Sequence, residues 1–289
     1  MTGRRGVLRT VWRDRRAQAG AALVATFAVG ALLGPLLAGQ GAADGGALVD
    51  IIARRFSSPL ARTPDGVWHL LGTDRFGRDV LIRLLVGARI SLAVGLLAAL
   101  VSTAVGVGAG AVAGYAGGAV DRAIVAVTDA ALAIPRVPFL LLLVAVIEPG
   151  AWVTVLALGV TGWMTVARLV RGEVRTLGVR PFVDAARALG MSPLRVLVRH
   201  VLPNALTPAL VAAALGVGSA IMLEAGLSFL GLGVQPPTAS WGNMIASGRD
   251  ALMFAPWVSL APAAAVAVVV LGCSWIADAL EGAIAGERG

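Results

Sequence analysis

Lysine is absent from the 289-residue sequence, and all 24 basic residues are arginines. A P-loop ATPase places a Lys on the nucleotide phosphates, so this chain holds no standard site of that kind. Schiff-base and pyridoxal chemistry need a Lys amine and are excluded as well. Histidine occurs twice (His69, His200) and cysteine once (Cys273), too few donors for a metal cage. One Cys closes no intrachain disulfide and leaves the redox compartment unread. Charge is sparse: 14% of the residues are charged, against about a quarter in a soluble domain. An ordinary soluble enzyme does not have this composition.

What is present is apolar. Hydrophobic residues make up 58% of the chain, and mean hydropathy is +0.85. Runs of about 20 apolar residues, enough to cross a bilayer, lie near Ala17–Ala38, Ile90–Gly114, Val120–Ile147, Trp152–Val170, Ala205–Leu230 and Trp257–Leu280. The expected fold class is therefore all-α, a polytopic membrane protein with six transmembrane helices. Residues 1–20 carry six Arg and residues 168–203 carry seven. Both stretches fall on one side of six alternating helices, which the positive-inside rule makes cytoplasmic, with the C-terminus. The 40–89 loop also carries seven Arg, offset by five Asp. An Arg-rich start before an apolar run is also a signal-peptide pattern, with Gly39–Ala43 as a weak cleavage region. The run is longer than a usual signal core.

The stretch from Arg168 to Asn204 is too long and too patterned for a plain connector. Arg180-Pro181 opens a helix with Pro in its first turn. Phe182, Val183, Ala186 and Leu189 follow at helical spacing. Gly190 closes it as a C-terminal cap. Ser192-Pro193 starts a second helix, whose apolar face is expected from Leu194, Leu197, Val198 and Val201 and whose end is expected at Pro203. The product is a helix–Gly–helix module that leaves small Ala185 and Ala186 exposed for close approach.

Three segments carry a family resemblance. Asp184-Ala185-Ala186, Gly190, and then His200-x-Leu202-Pro203 resemble the EAA loop of ABC-transporter permeases. That family usually begins the motif with Glu; here the carboxylate is kept one methylene shorter. Gly226-Leu227-Ser228-Phe229-Leu230-Gly231-Leu232-Gly233, Gln235-Pro236-Pro237 and Ser240-Trp241-Gly242-Asn243-Met244 resemble the C-terminal half of the dipeptide, oligopeptide and nickel permeases. In physical terms this is a Gly-rich helix end, a Pro turn and an interfacial Trp. Leu71-Gly72-Thr73-Asp74, Gly77-Arg78-Asp79 and Gly87-Ala88-Arg89-Ile90-Ser91-Leu92 resemble the approach to that family's second membrane helix. Leu81, Leu84, Leu85 and Ala88 share a helical face there, which predicts a short helix on the outer membrane surface.

The resemblance covers residues 66–282. It implies a type I ABC importer permease of the C-type, with a second homologous permease, two cytoplasmic ATP-binding subunits and an extracytoplasmic binding protein as partners. In such systems a short helix of the EAA loop docks into a groove on the ATPase. The expected layout is a cytoplasmic tail (1–16), a first membrane helix (17–38) and an extracytoplasmic loop (39–89). A permease core (90–282) containing the coupling loop (171–204) and a cytoplasmic tail (283–289) follow. No cofactor, metal or nucleic acid is expected; the remaining partner is lipid.

Ionisable residues inside membrane helices are costly and often functional. Asp129 and Arg136, seven apart in the third run, would share a helical face, as an ion pair or a path element. The resembling family often has an Arg shortly before this Asp; Ala126 stands there here, and Arg136 is the candidate compensating cation. Glu224 matches an acid of the resembling permeases and is either a buried structural carboxyl or a contact for a substrate ammonium or metal. Gly106, Gly110 and Gly114 form a small-residue stripe for close helix packing. Two other classes remain open. A proton-coupled secondary transporter would use an intramembrane acid and favour an inverted repeat, and no clear repeat is seen. A membrane enzyme would need a convergent polar cluster.

Overall fold

The computed structural model describes residues 10–37, 52, 54–62 and 66–288. Arg4, Arg5 and Arg9 of the expected tail, and residues 38–51 of the expected loop, lie outside the described residues. Eleven α-helices organise the rest. The first, α1 (Arg15–Leu37), lies against the last. A two-residue hairpin, β1 (Ala61–Arg62) with β2 (Trp68–His69), precedes α2 (Val80–Ala116). Next come α3 (Gly118–Ala133), α4 (Arg136–Val146), α5 (Ala151–Val160) and α6 (Trp163–Gly178). Then follow α7 (Pro181–Ala188), α8 (Pro193–Val196), a π turn at Leu197–Val201, α9 (Leu202–Phe229), α10 (Trp241–Gly248) and α11 (Trp257–Arg288).

Five stretches are long and apolar enough to cross a bilayer: α1, α2, Ala151–Gly178, Pro193–Phe229 and α11. The bent pair α3–α4 is a sixth when counted as one span. The chain is a multi-pass membrane protein. Its central helix, α2, touches α1, α3, α5, α6 and α9. The glycine stripe explains the tightest of these contacts. A Cβ at Gly110 would stand 2.5 Å from the Ala167 carbonyl oxygen, and one at Gly114 2.8 Å from that of Arg171. Only hydrogen fits where α2 and α6 bring their backbones together.

Three expectations change. The surface helix expected at residues 81–88 is the start of α2 itself. Asp79 caps it through the Ile82 amide, and no break follows for 37 residues. At 1.5 Å per residue α2 is roughly 55 Å long, well beyond the roughly 30 Å of hydrocarbon. Its first turns bury Val80, Leu84 and Ala88 against protein. The third run is not one helix: α3 and α4 meet at 89°. Pro135 lacks an N–H and forces Ile134 into extended backbone (φ −84°, ψ 126°), as residues before Pro prefer. Pro203 does not end the second helix of the Arg-rich loop. The chain passes through the π turn directly into α9, where the wider turn absorbs the hydrogen bond that Pro203 does not make.

Candidate functional site

The Arg-rich loop folds as a helical hairpin, α7 and α8. Arg180 is the N-cap of α7 with Pro181 at its first position, and Ser192-Pro193 repeats the arrangement for α8. Between them Gly190 stands at φ +77°. Its N–H donates to the Arg187 carbonyl at 2.9 Å, and the Met191 N–H to that of Ala186 at 3.3 Å. This is a Schellman closure, and the left-handed residue in it favours Gly. Val183, Ala186, Val196, Leu197 and Val201 form one core with Val166, Val170 and Val174 of α6 and Ala205 and Ala209 of α9. Each fully buried Val contributes roughly 1.5–3 kcal/mol. The hairpin is thus packed against two membrane helices, α6 and α9.

The outer surface differs in two details from the expected one. Ala186 is buried at 4% exposure, so Ala185 alone of the two small residues faces outward. Leu194 and Val198 are exposed, and Val196 takes the inner position. The π turn at 197–201 shifts the helical phase, so a strict 3.6-residue count misplaces that face. Asp184 is exposed and, among the described residues, reaches only Arg187, at 3.4 Å. On the same hairpin Leu189 (79% exposed) and Leu194 (71%) lack apolar cover among the described residues. His200 has its Nε2 buried with no hydrogen-bond partner among the described residues, while its carbonyl accepts from Asn204 at 2.7 Å. Leu202 and Pro203 form the first turn of α9.

Glu224 lies toward the other end and is fully buried. Two relays converge on it. The Trp241 N–H donates to Ser91 Oγ (3.1 Å), which donates to one carboxyl oxygen (3.0 Å). The Val234 N–H donates to Ser228 Oγ (3.0 Å), which donates to the other (2.7 Å). No basic side chain of the described residues pairs with it. The cluster pins the 231–241 loop onto α2 and α9. Trp241, expected at the membrane interface, is fully buried: its indole N–H donates to the Leu84 carbonyl (3.0 Å), and Phe27 packs edge-on at 5.3 Å. The preceding Ser240 closes a capping box with Asn243, which turns α10 inward and carries the Trp with it.

The Gly72–Asp79 segment is held with equal completeness. Asp74 accepts from the Phe76 and Arg78 amides and from the Arg78 guanidinium at 2.8–3.0 Å. Asp79 caps α2 and meets His69 Nδ1 at 2.7 Å. Gly72, at φ +73°, leaves room for the Ser57 carbonyl and the Trp257 indole.

Asp129 and Arg136 do not meet, because the α3–α4 break turns them apart. Asp129 pairs instead with Arg168 at 2.6 Å. Asp121 accepts both Arg171 Nε (2.5 Å) and Nη2 (2.8 Å), and Arg175 approaches at 3.2 Å. Sequence spacing gave no sign of the Asp121–Arg171 fork, since its members lie 50 residues apart. The three arginines read as topology signals thereby tie α3 to α6. Among the described residues Arg136 has one hydrogen bond, from Nη2 to the Leu158 carbonyl at 3.3 Å. That carbonyl is available because α5 and α6 part at Gly162, whose N–H turns to Gly159.

Comparison with known proteins follows this geometry. Residues 106–286 match the family described as "Binding-protein-dependent transport system inner membrane component". The oligopeptide transport system permease protein OppC of Bacillus subtilis is 38% identical over 224 residues, 78% of this chain and 73% of that protein. The dipeptide transport system permease protein DppC of Alkalihalophilus pseudofirmus is 35% identical over 94% of this chain and 86% of its own length. OppC of Escherichia coli K12 is 40% identical over 75% of this chain and 72% of its own. The solved inward-facing MetNI methionine ABC transporter aligns with a TM-score of 0.53 at 18% identity, over 68% of this chain and 96% of that one, a likeness of fold. This chain belongs to the binding-protein-dependent transport system inner membrane components and is a membrane permease subunit.

Proposed function

We propose that this chain forms one half of the translocation path of an ATP-driven importer for short peptides or related small solutes, nickel chelates among them. A second, homologous permease completes the path. Two cytoplasmic ATPases drive it, and an extracytoplasmic binding protein delivers the solute to the end formed by 66–79 and 231–256. The N- and C-termini and the α7–α8 hairpin face the cytoplasm.

The observation that carries this reading is the two-sided hairpin. Its inner face is packed against α6 and α9, while its outer face leaves Ala185, Leu189, Leu194 and Asp184 unburied. A surface built this way takes force from a partner and passes it to the membrane helices. Closure of the ATPase dimer on ATP would swing the hairpin and reorient both spans. The absence of Lys, and with it of a standard P-loop, supports this division of labour. The names of the relatives supply the peptide substrate class.

The test is affinity capture of the tagged chain with its co-expressed ATPases. The intact chain should retain them, and a Leu189→Asp, Leu194→Asp variant should release them while still inserting in the membrane. Equal retention by both would sink the docking surface. A proton-coupled secondary transporter needs no ATPase and finds no support in the relatives.

A further inference from the structure

A cavity of about 490 Å3 opens between α2, α4, α5–α6, α9 and α11, within the size range of small-ligand sites. Its wall is mostly small and apolar, with hydroxyls from Ser102, Thr103, Thr165 and Ser219. Arg136 is its single cation and Glu281 its single anion.

Two interruptions of helix meet at this place. The chain breaks at Ile134–Pro135, and a two-residue turn at Thr161–Gly162 interrupts the Ala151–Gly178 span without a sharp bend; the Arg136 guanidinium reaches the second place through the Leu158 carbonyl. Leu158 lies seven residues into its span, about 10 Å along it. Non-helical backbone at membrane depth persists where it is buried in protein or lines a cavity, and broken helices mark solute sites in secondary transporters. No carboxylate of the described residues lies within salt-bridge distance of Arg136. Of the five guanidinium N–H groups, one is used in a hydrogen bond among the described residues, and Arg136 lines the cavity. Gly162 leaves the room for this: a Cβ there would stand 3.2 Å from Arg136 Nη2 and 2.7 Å from Ser102 Oγ.

We infer that this cavity binds the transported solute and that Arg136 takes its free carboxylate. The solute class is a small zwitterion or anion; Glu281 on the same wall offers a partner for an ammonium, and a short peptide carries both groups. The inference rests on the permease reading proposed above.

The experiment uses the purified full transporter, with Cys273→Ser and Ser219→Cys introduced and maleimide labelling of the new thiol followed without binding protein. Trialanine at millimolar concentration should slow labelling at least fivefold, and trialanine amide less than twofold. Arg136→Gln should abolish the protection, and Arg136→Lys should keep part of it. Gly162→Ala retains the charge but displaces it, and should weaken protection severalfold. Equal protection by acid and amide, no protection, or full protection in Arg136→Gln overturns the inference. Loss of assembly with the second permease in Arg136→Gln also overturns it, since Arg136 then pairs with a partner's acid. ATP-driven trialanine uptake in proteoliposomes separates the two levels. Its absence in the wild type sinks the peptide-importer reading on which the site rests; its presence without protection sinks only the carboxylate site.

Discussion

Around Glu224 and Asp79, hydroxyls, an imidazole and backbone amides close on buried carboxylates, whereas the Asp184 carboxylate faces solvent on a hairpin with uncovered leucines. Both regions were singled out by the same kind of motif, an acid among glycines and small residues. The difference lies in who completes the contacts. The Glu224 end satisfies its polar groups from within the chain and reads as architecture. The Asp184 end leaves apolar surface uncovered and its carboxylate exposed, with Arg187 at 3.4 Å, as a docking face does. A buried acid with every oxygen engaged is a poor solute contact, and this moves Glu224 away from the path and toward the frame of the loop.

Breaking the frame should cost the most. Trp241→Ala removes a fully buried side chain and its bond to Leu84, and should lower stability by about 3–5 kcal/mol, read as the thermal midpoint in detergent. Glu224→Leu strips the acceptor from two buried hydroxyls and should cost about 1–3 kcal/mol in the same measurement. Glu224→Gln keeps an acceptor oxygen and should lose less; an equal loss would deny the relay. On the docking side, Gly190→Val meets no steric neighbour, so its cost is the left-handed backbone, about 1–2 kcal/mol. Membrane insertion should persist while ATP hydrolysis uncouples from transport. Normal transport by this variant would end the coupling account of the loop. The smallest effect belongs to Asp129→Asn. Its pair with Arg168 is more than half exposed on both sides, so stability should change by about 0.2–1 kcal/mol. A double-mutant cycle with Arg168→Gln checks the figure, and exchanging the two charges should restore the wild-type value.

Much of the hairpin was legible. Pro at a first turn, Gly in a left-handed cap and apolar residues at helical spacing are local signals, and α7 obeys them. The register of the second helix was not legible, because the π turn at Leu197–Val201, just before Pro203 and its missing N–H, departs from the 3.6-residue period. Arg136 was legible as an unusual cation but not in its setting. Pro135 announces a break, yet its angle depends on how α4 packs Leu140 and Val144 against α2, α5 and α9. The Asp121–Arg171 fork and the Ser91–Glu224–Ser228 cluster join residues far apart in the chain, and no spacing rule reaches across such gaps.

Composition alone determined that this chain crosses a membrane and lacks a standard P-loop, because bilayer thickness sets the length of apolar runs and that loop is built around a Lys. Tertiary structure alone decided which charged residues are finished and which are open. That choice depends on distances between helices, and sequence spacing does not encode them: Asp129 and Arg136 share a face on an ideal helix and part at an 89° bend.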